Sequence, residues 1–189
     1  METFSRLSKP LRLGEVTHFT NLDPEYHAVA LTGLGDEEVA YNRVEQLDEC
    51  KECVRWAAAR GARKLRKAGL KQIHFEGFGN CEPAAEGAVL ALYQYHDYKH
   101  KDDQMKVATS DTYGDDVDSE AWHRGVLKAE AQNLARKLAD TPSNCMTPSH
   151  FAQVGLNISL FKNLRVRQNP QTLALLKCSS SLNHGALFC

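Results

Sequence analysis

Val44, Leu47, Cys50, Val54, Ala58, Ala62 and Leu65 recur at spacings of 3, 3, 4, 4, 4 and 3, which places them on one stripe of a helix. The spacing predicts a helix over about 42–67, ended by Gly69. A short apolar run stands on either side of it. The first, Tyr26-His-Ala-Val-Ala-Leu-Thr-Gly33, is bounded by Pro24 and by Gly33 and Gly35; the second is Lys71-Gln-Ile-His-Phe-Glu76. Both read as strands, the first as a buried one. Strands joined through a helix of this length make crossover connections, so the expected class is α/β, a mostly parallel sheet flanked by helices.

The same alternation continues downstream. Pro83, a residue favoured in the first turn of a helix, opens a second helix that runs to about Tyr95. The stretch from Met105 to Thr109 is a strand candidate. A third helix begins at Asp118 or Ser119 and is expected to bury Trp122, Val126, Leu127, Ala131, Leu134 and Leu138. Thr141-Pro-Ser-Asn144 stops it, and Thr147-Pro148 supplies an N-cap and a first-position proline for a further helix. Near Gln153 the composition changes: all 24 acidic residues lie before Val154, whereas 154–189 holds four basic residues (Lys162, Arg165, Arg167 and Lys177) and is rich in Ser, Asn and Leu without a steady period. Ser179-Ser180-Ser181 and Asn183-His184-Gly185 read as coil.

A length of 189 residues fits about one domain, and 42% hydrophobic with 25% charged residues is the balance of a globular chain. With 23 Lys and Arg against 24 Asp and Glu, the charge gives no global footprint for nucleic acid or an anionic membrane. Four basic residues in the tail, without a scaffold, offer only weak, salt-sensitive attraction to nucleic acid. No apolar run approaches the roughly 20 residues that span a bilayer; Gly87-Ala-Val-Leu-Ala-Leu-Tyr93 is core-sized. A soluble protein is expected. The segment from Met1 to Gly14 lacks the apolar core of a secretory signal and reads as a basic, frayed terminus carrying Arg6, Lys9 and Arg12. Six cysteines without such a signal read as reduced thiols.

Four constellations carry possible chemistry. Cys50-Lys-Glu-Cys53 has the spacing of a redox or zinc half-site, but no second Cys/His pair follows, and the predicted helix puts it a turn or more inside, where sulfur packs as core. His96 and His100, four apart, fit a metal pair on one helix face; without an adjacent Glu in a polar stretch they read as surface histidines. Asp111, Asp115, Asp116, Asp118 and Glu120 fail the calcium-loop template and fit the start of a helix. Gly33-Leu-Gly35 between strand and helix suits a phosphate cradle, yet Glu38 replaces the third glycine of a dinucleotide fingerprint and Asp36, Glu37 and Glu38 repel a polyanion, leaving a tight strand-to-helix turn. No Gly-x-Ser-x-Gly elbow occurs.

Two longer stretches resemble one family, the leucyl (cytosol) aminopeptidases. Gln132-Asn-Leu-Ala-Arg-Lys-Leu-Ala-Asp-Thr-Pro-Ser-Asn-Cys-Met-Thr-Pro-Ser-His-Phe-Ala152 is similar to the signature joining that family's two domains, and Ala85-Glu-Gly-Ala-Val-Leu-Ala-Leu-Tyr-Gln-Tyr-His-Asp-Tyr-Lys99 to its Glu-Gly-x-x-Leu-x-x-Tyr helix; Ala121-Trp122 and Gly125-Val-Leu127 also fit. The resemblance covers about Leu11 to Gln153. It implies an amino-terminal α/β domain over 11–140, similar to macro domains, the start of an interdomain linker helix over 141–153, and an atypical, disordered or weakly structured tail over 154–189. It also implies a cytoplasmic, homohexameric enzyme that releases amino-terminal residues, preferentially leucine, with two divalent metals, zinc or manganese. The family's metal motifs, Lys-Gly-x-Thr-Phe-Asp-Ser-Gly-Gly and Asn-Thr-Asp-Ala-Glu-Gly-Arg, are absent from the sequence, so no position inherits a catalytic, cofactor or metal role. The expectation is a truncated family member, inactive alone, with full-length aminopeptidase subunits as partners. A non-catalytic binding or regulatory module, docking onto full-length aminopeptidase or taking a nucleotide or ADP-ribose near Gly33-Leu-Gly35, is the alternative.

Overall fold

The computed structural model describes residues 10–21, 25–36, 39–105, 108–114 and 118–162. Strands β1 (Val16–Thr20) and β2 (Ala28–Thr32) pair antiparallel, with Val16 opposite Thr32 and Thr20 opposite Ala28. β3 (Tyr41–Asn42) and β4 (Leu47–Asp48) form a second, minimal antiparallel ladder that leads into α1 (Glu49–Lys67). β5 (Gln72–Phe75) is followed by α2 (Cys81–Leu92), a 3-10 turn at Lys101–Asp103, and β6 (Thr109–Thr112). α3 (Ser119–Asp140) and α4 (Pro148–Lys162) complete the described chain. One compact unit ends at Leu134 and a second starts at Ala135, so the division falls within α3.

The class is α/β, but the expected mostly parallel sheet is not what forms. Among the described residues three two-stranded ladders stand in its place, and of these β5–β6 is the parallel one, with Gln72 opposite Thr109 and Phe75 opposite Thr112. The reason lies in connection length. The link from Thr20 to Ala28 is too short for a crossover, so β1 and β2 close as a hairpin, whereas β5 and β6 are joined through α2.

The predicted helix over 42–67 begins later, at Glu49. The Asn42 side-chain oxygen accepts from the backbone N–H groups of Val44 (3.0 Å) and Glu45 (3.2 Å), holding a turn that competes with helix. Val44, first residue of the sequence stripe, is 94% exposed. The helix starts where the Asp48 carboxylate accepts from the Lys51 N–H at 3.3 Å, an N-cap of about 1 kcal/mol. From there the stripe holds: Val54, Ala58, Ala62 and Leu65 are buried, and Gly69, at φ +89°, ends the run.

The remaining boundaries shift modestly. The strand expected over 26–33 is β2, half-buried along its length. α2 starts at Cys81, which makes Pro83 its third residue, and it stops at Leu92 because Tyr93 turns to extended backbone. The strand candidate at 105–109 lies further on as β6; Met105 is exposed, and 106–107 lie outside the described residues. Asp118 caps α3 by accepting from the Ala121 N–H at 2.9 Å. α4 runs through Gln153 to Lys162 without interruption, so the composition changes inside a helix and residues 154–162 of the weakly structured tail expected over 154–189 are helical; the rest of that tail lies outside the described residues.

The core packs Val54, Ala58, Ala62 and Leu65 of α1 against Ile73 and Phe75 of β5 and Ala84, Ala85, Ala88 and Ala91 of α2. Burial of Ile73 and Phe75 contributes about 1.5–3 kcal/mol each. Trp122 of α3 closes this core, its ring centroid 6.1 Å from that of Phe75. Alanine dominates because the helices approach closely: a Cβ at Gly87 would stand 2.2 Å from the Arg55 carbonyl oxygen.

α3 corrects the expected burial. Ala121, Trp122, Gly125 and Ala129 are buried, while Leu127 (45% exposed), Ala131 and Leu134 (38% exposed) face outward, and Val126 and Leu138 are half-buried. The helix carries two apolar rows, and the one with the small residues turns inward, where it can lie against the backbone of α2.

Candidate functional site

Gly33-Leu-Gly35 follows β2, and Gly33 extends the β1–β2 ladder. The Gly33 N–H donates to the Glu15 carbonyl and its own carbonyl accepts from Gly14, both at 2.9 Å. A Cβ at Gly33 would meet the Arg12 carbonyl oxygen at 2.1 Å, so glycine there admits a neighbouring stretch of main chain. It is also not a strand-to-helix turn, since β3 and β4 intervene.

His96 and His100 do not share a helix face, because α2 ends at Leu92. His100 is exposed and its Nδ1 lies 3.2 Å from an Asp102 carboxylate oxygen. His96, expected at the surface, has both ring nitrogens buried; together with the side-chain atoms of Gln94 they have no hydrogen-bond partner among the described residues. In the acidic block, Asp118 is the α3 cap and Asp111 accepts from the Thr112 N–H at 2.8 Å in β6. Asp115 and Asp116 lie outside the described residues.

Cys50 and Cys53 are the second and fifth residues of α1, directly after β4. The pair is therefore at a helix start and not deep in the helix. Cys50 is exposed, Cys53 half-buried, and both are free thiols. Burial, aided by the neighbouring Cys50, Glu49 and Glu52, pushes the Cys53 thiol up.

A polar constellation that matches none of the sequence motifs joins three helices. Glu86, 7% exposed in the middle of α2, accepts from Arg55 Nη2 of α1 at 2.8 Å and from Gln132 Nε2 of α3 at 2.6 Å. Arg55 also pairs with Glu52. One turn earlier on α2, Glu82 pairs with Lys128 and, at 3.4 Å, with Arg124 of α3. The Lys128 hydrogen bond, with the charges of Lys128 and Arg124, holds the Glu82 carboxyl below its usual range. Asn133 Nδ2 donates to the Val89 carbonyl at 3.4 Å. A lone acid inside Ala84-Ala-Glu-Gly-Ala-Val-Leu90 was the available signal, since burying a carboxylate demands a partner.

In the second unit, the Thr147 hydroxyl accepts from the His150 N–H at 3.4 Å, the N-cap expected for α4. His150 Nδ1 lies 2.8 Å from the Cys145 carbonyl oxygen; a carbonyl only accepts, so Nδ1 carries the proton there. Among the described residues, no group of three or more His, Cys, Asp or Glu side chains is arranged to hold a metal ion, and no helix is long and apolar enough to cross a membrane.

Comparison with known proteins places these features in context. Residues 12–102 match the model of the cytosol aminopeptidase family, N-terminal domain. The chain is 40% identical over 153 residues to the cytosol aminopeptidase of Homo sapiens, a match covering 81% of this chain and 29% of the human protein. It is 40% identical over 145 residues to that of Bos taurus (77% and 27%) and 33% identical over 168 residues to that of Xenopus tropicalis (85% and 32%). The chain thus spans under a third of the length of these relatives. Among solved structures, the bottromycin maturation enzyme BotP shares the fold, with a TM-score of 0.63 at 24% identity over 87% of this chain and 35% of that one.

Proposed function

Because the chain belongs to the cytosol aminopeptidase family through its amino-terminal domain, we propose that these 189 residues act as a non-catalytic module of a leucyl aminopeptidase and do not hydrolyse peptides by themselves. The family chemistry, release of amino-terminal residues by two divalent metals, needs a cage of carboxylates and a lysine to bind the ions and activate water. The described residues do not fit such a pair of ions. One observation carries the reading. The residues through which the sequence resembles the family are engaged in holding helices together: Glu86 by Arg55 and Gln132, Asn133 on the Val89 carbonyl, and Gly87 and Gly125 at close approaches to the backbone of a neighbouring helix. Their role is architectural. Purified chain assayed on leucyl-p-nitroanilide with manganese or zinc is expected to show no turnover above a metal-free blank; turnover above it overturns the reading.

The partners in this proposal are full-length aminopeptidase subunits in the cytoplasm. The outward apolar row of α3, with Leu127 and Leu134 exposed, supports docking, since such a row on a helix marks an interaction surface. Co-elution with the intact enzyme tests it. The macro-domain-like reading of the first unit finds support in the parallel β5–β6 pair, with α1 against β5 and α2 against β6. ADP-ribose calorimetry tests that reading; the internal bonds of Gly33 argue against a phosphate site there.

A further inference from the structure

Two free thiols three residues apart open α1, and their placement has chemical consequences. Residues at i and i+3 of an α-helix lie on one face with Cα atoms about 5 Å apart, within the range of about 4.4–6.8 Å that a disulfide bridges. Cys50 is the second residue of α1. The first four N–H groups of a helix have no intrahelical partner, so the Cys50 N–H is tied to no carbonyl of the helix. The exposed Cys50 sulfur is open to a small reagent, whereas Cys53 is half-buried beside it.

We propose that Cys50 and Cys53 are a reversible oxidation site, closing an intrahelical disulfide at the start of α1 when they meet a small-molecule disulfide of the glutathione type. The Cys50 thiolate attacks one sulfur of the reagent, whose S–S bond breaks and releases the first thiol. Cys53 then attacks the Cys50 sulfur of the mixed disulfide and releases the second. The chain loses two electrons and two thiol protons, and the reagent leaves as two thiols. The order of attack follows from exposure. Cys53, half-buried and beside the carboxylates of Glu49 and Glu52, has its thiol pushed up and acts as the resolving group once Cys50 has been derivatised. The closed ring encloses Glu52, the acid that pairs with Arg55, and Arg55 in turn holds Glu86. Oxidation thereby stiffens the turn that feeds the three-helix network.

The test uses the full chain in glutathione buffers of graded oxidised-to-reduced ratio, quenched with acid, alkylated and mapped by mass spectrometry. Cys50 and Cys53 are expected to lose alkylation together, in peptides joined to each other and two hydrogen masses lighter, while Cys81 and Cys145 remain alkylated. In Cys53→Ser the Cys50 sulfur is expected to retain glutathione, and in Cys50→Ser the Cys53 sulfur is expected to stay alkylated. Glutathione remaining on Cys50 of the unsubstituted chain to the same extent as in Cys53→Ser overturns the proposal. So does Cys50 joined to any other cysteine, or both thiols staying alkylated at every ratio. Trapping in the unsubstituted chain decides the matter even if a variant misfolds.

Discussion

A methyl group added at Gly125 of α3 would stand 2.2 Å from the carbonyl oxygen of Glu82 in α2. The contact is with main chain, which cannot swing aside as a flexible side chain does. The two helices are therefore held at a separation that only glycine permits at that crossing.

Gly125→Ala is expected to destabilise the chain even though alanine favours helix by about 1 kcal/mol. Overpacking costs about 1–3 kcal/mol and decides the sign. Gly155→Ala is the counterpart: no atom of the described residues lies within 4 Å of the added carbon in α4, so propensity is expected to act alone and raise helicity. Urea unfolding and far-ultraviolet circular dichroism of the two variants check opposite signs for the same substitution.

Glu86→Ala leaves the half-buried Arg55 guanidinium with Glu52 as its remaining partner among the described residues and takes the acceptor from Gln132. The expected loss is about 2–3 kcal/mol, below the full penalty for an orphaned buried ion because Glu52 remains. Glu86→Gln, which still offers Arg55 an acceptor, is expected to lose less. The midpoint of urea unfolding reads both.

Glu82 gives a pH dependence with a definite sign. Its carboxyl is held below the usual range by the Lys128 hydrogen bond and the charges of Lys128 and Arg124. A depressed folded-state value means that the stabilisation is complete above the ordinary glutamate range, about pH 4.3, and is lost as the pH falls through the lower folded value. Unfolding followed between about pH 6 and pH 3 is expected to be more acid-sensitive in the unsubstituted chain than in Lys128→Met, which keeps an apolar stem and removes the charge.

Leu127→Glu combined with Leu134→Glu changes only outward positions of α3. Stability is expected to move by no more than about 0.5 kcal/mol, while co-elution with full-length aminopeptidase subunits is abolished. Analytical gel filtration of the pair against the unsubstituted chain separates a docking row from one without a partner.

The buried half of α1 was legible because Val54, Ala58, Ala62 and Leu65 keep a helical period that the core then uses. Val44 and Leu47 keep the same period outside the helix, where the Asn42 turn prevails over the pattern. Both apolar rows of α3 have helical spacing, and spacing alone does not say which faces inward; Gly125 and Ala129 do, because only small residues admit the α2 backbone. The hairpin partner β1 was not anticipated, since Val16-Thr-His-Phe-Thr20 offers few apolar residues. The Glu86 network was hidden for a different reason. Its three members lie at positions 55, 86 and 132, and no local pattern links residues so far apart.

That separation bears on how the chain is born. A polypeptide leaves the ribosome amino terminus first, so Arg55 and Glu86 emerge before Gln132 does. The nascent chain can close the short hairpin of β1 and β2 early, while the Glu86 carboxylate waits with one oxygen unclaimed. Formation of the third helix is the step that retires this half-assembled state, and a ribosome pausing between codons 86 and 132 would lengthen the interval in which chaperones meet it.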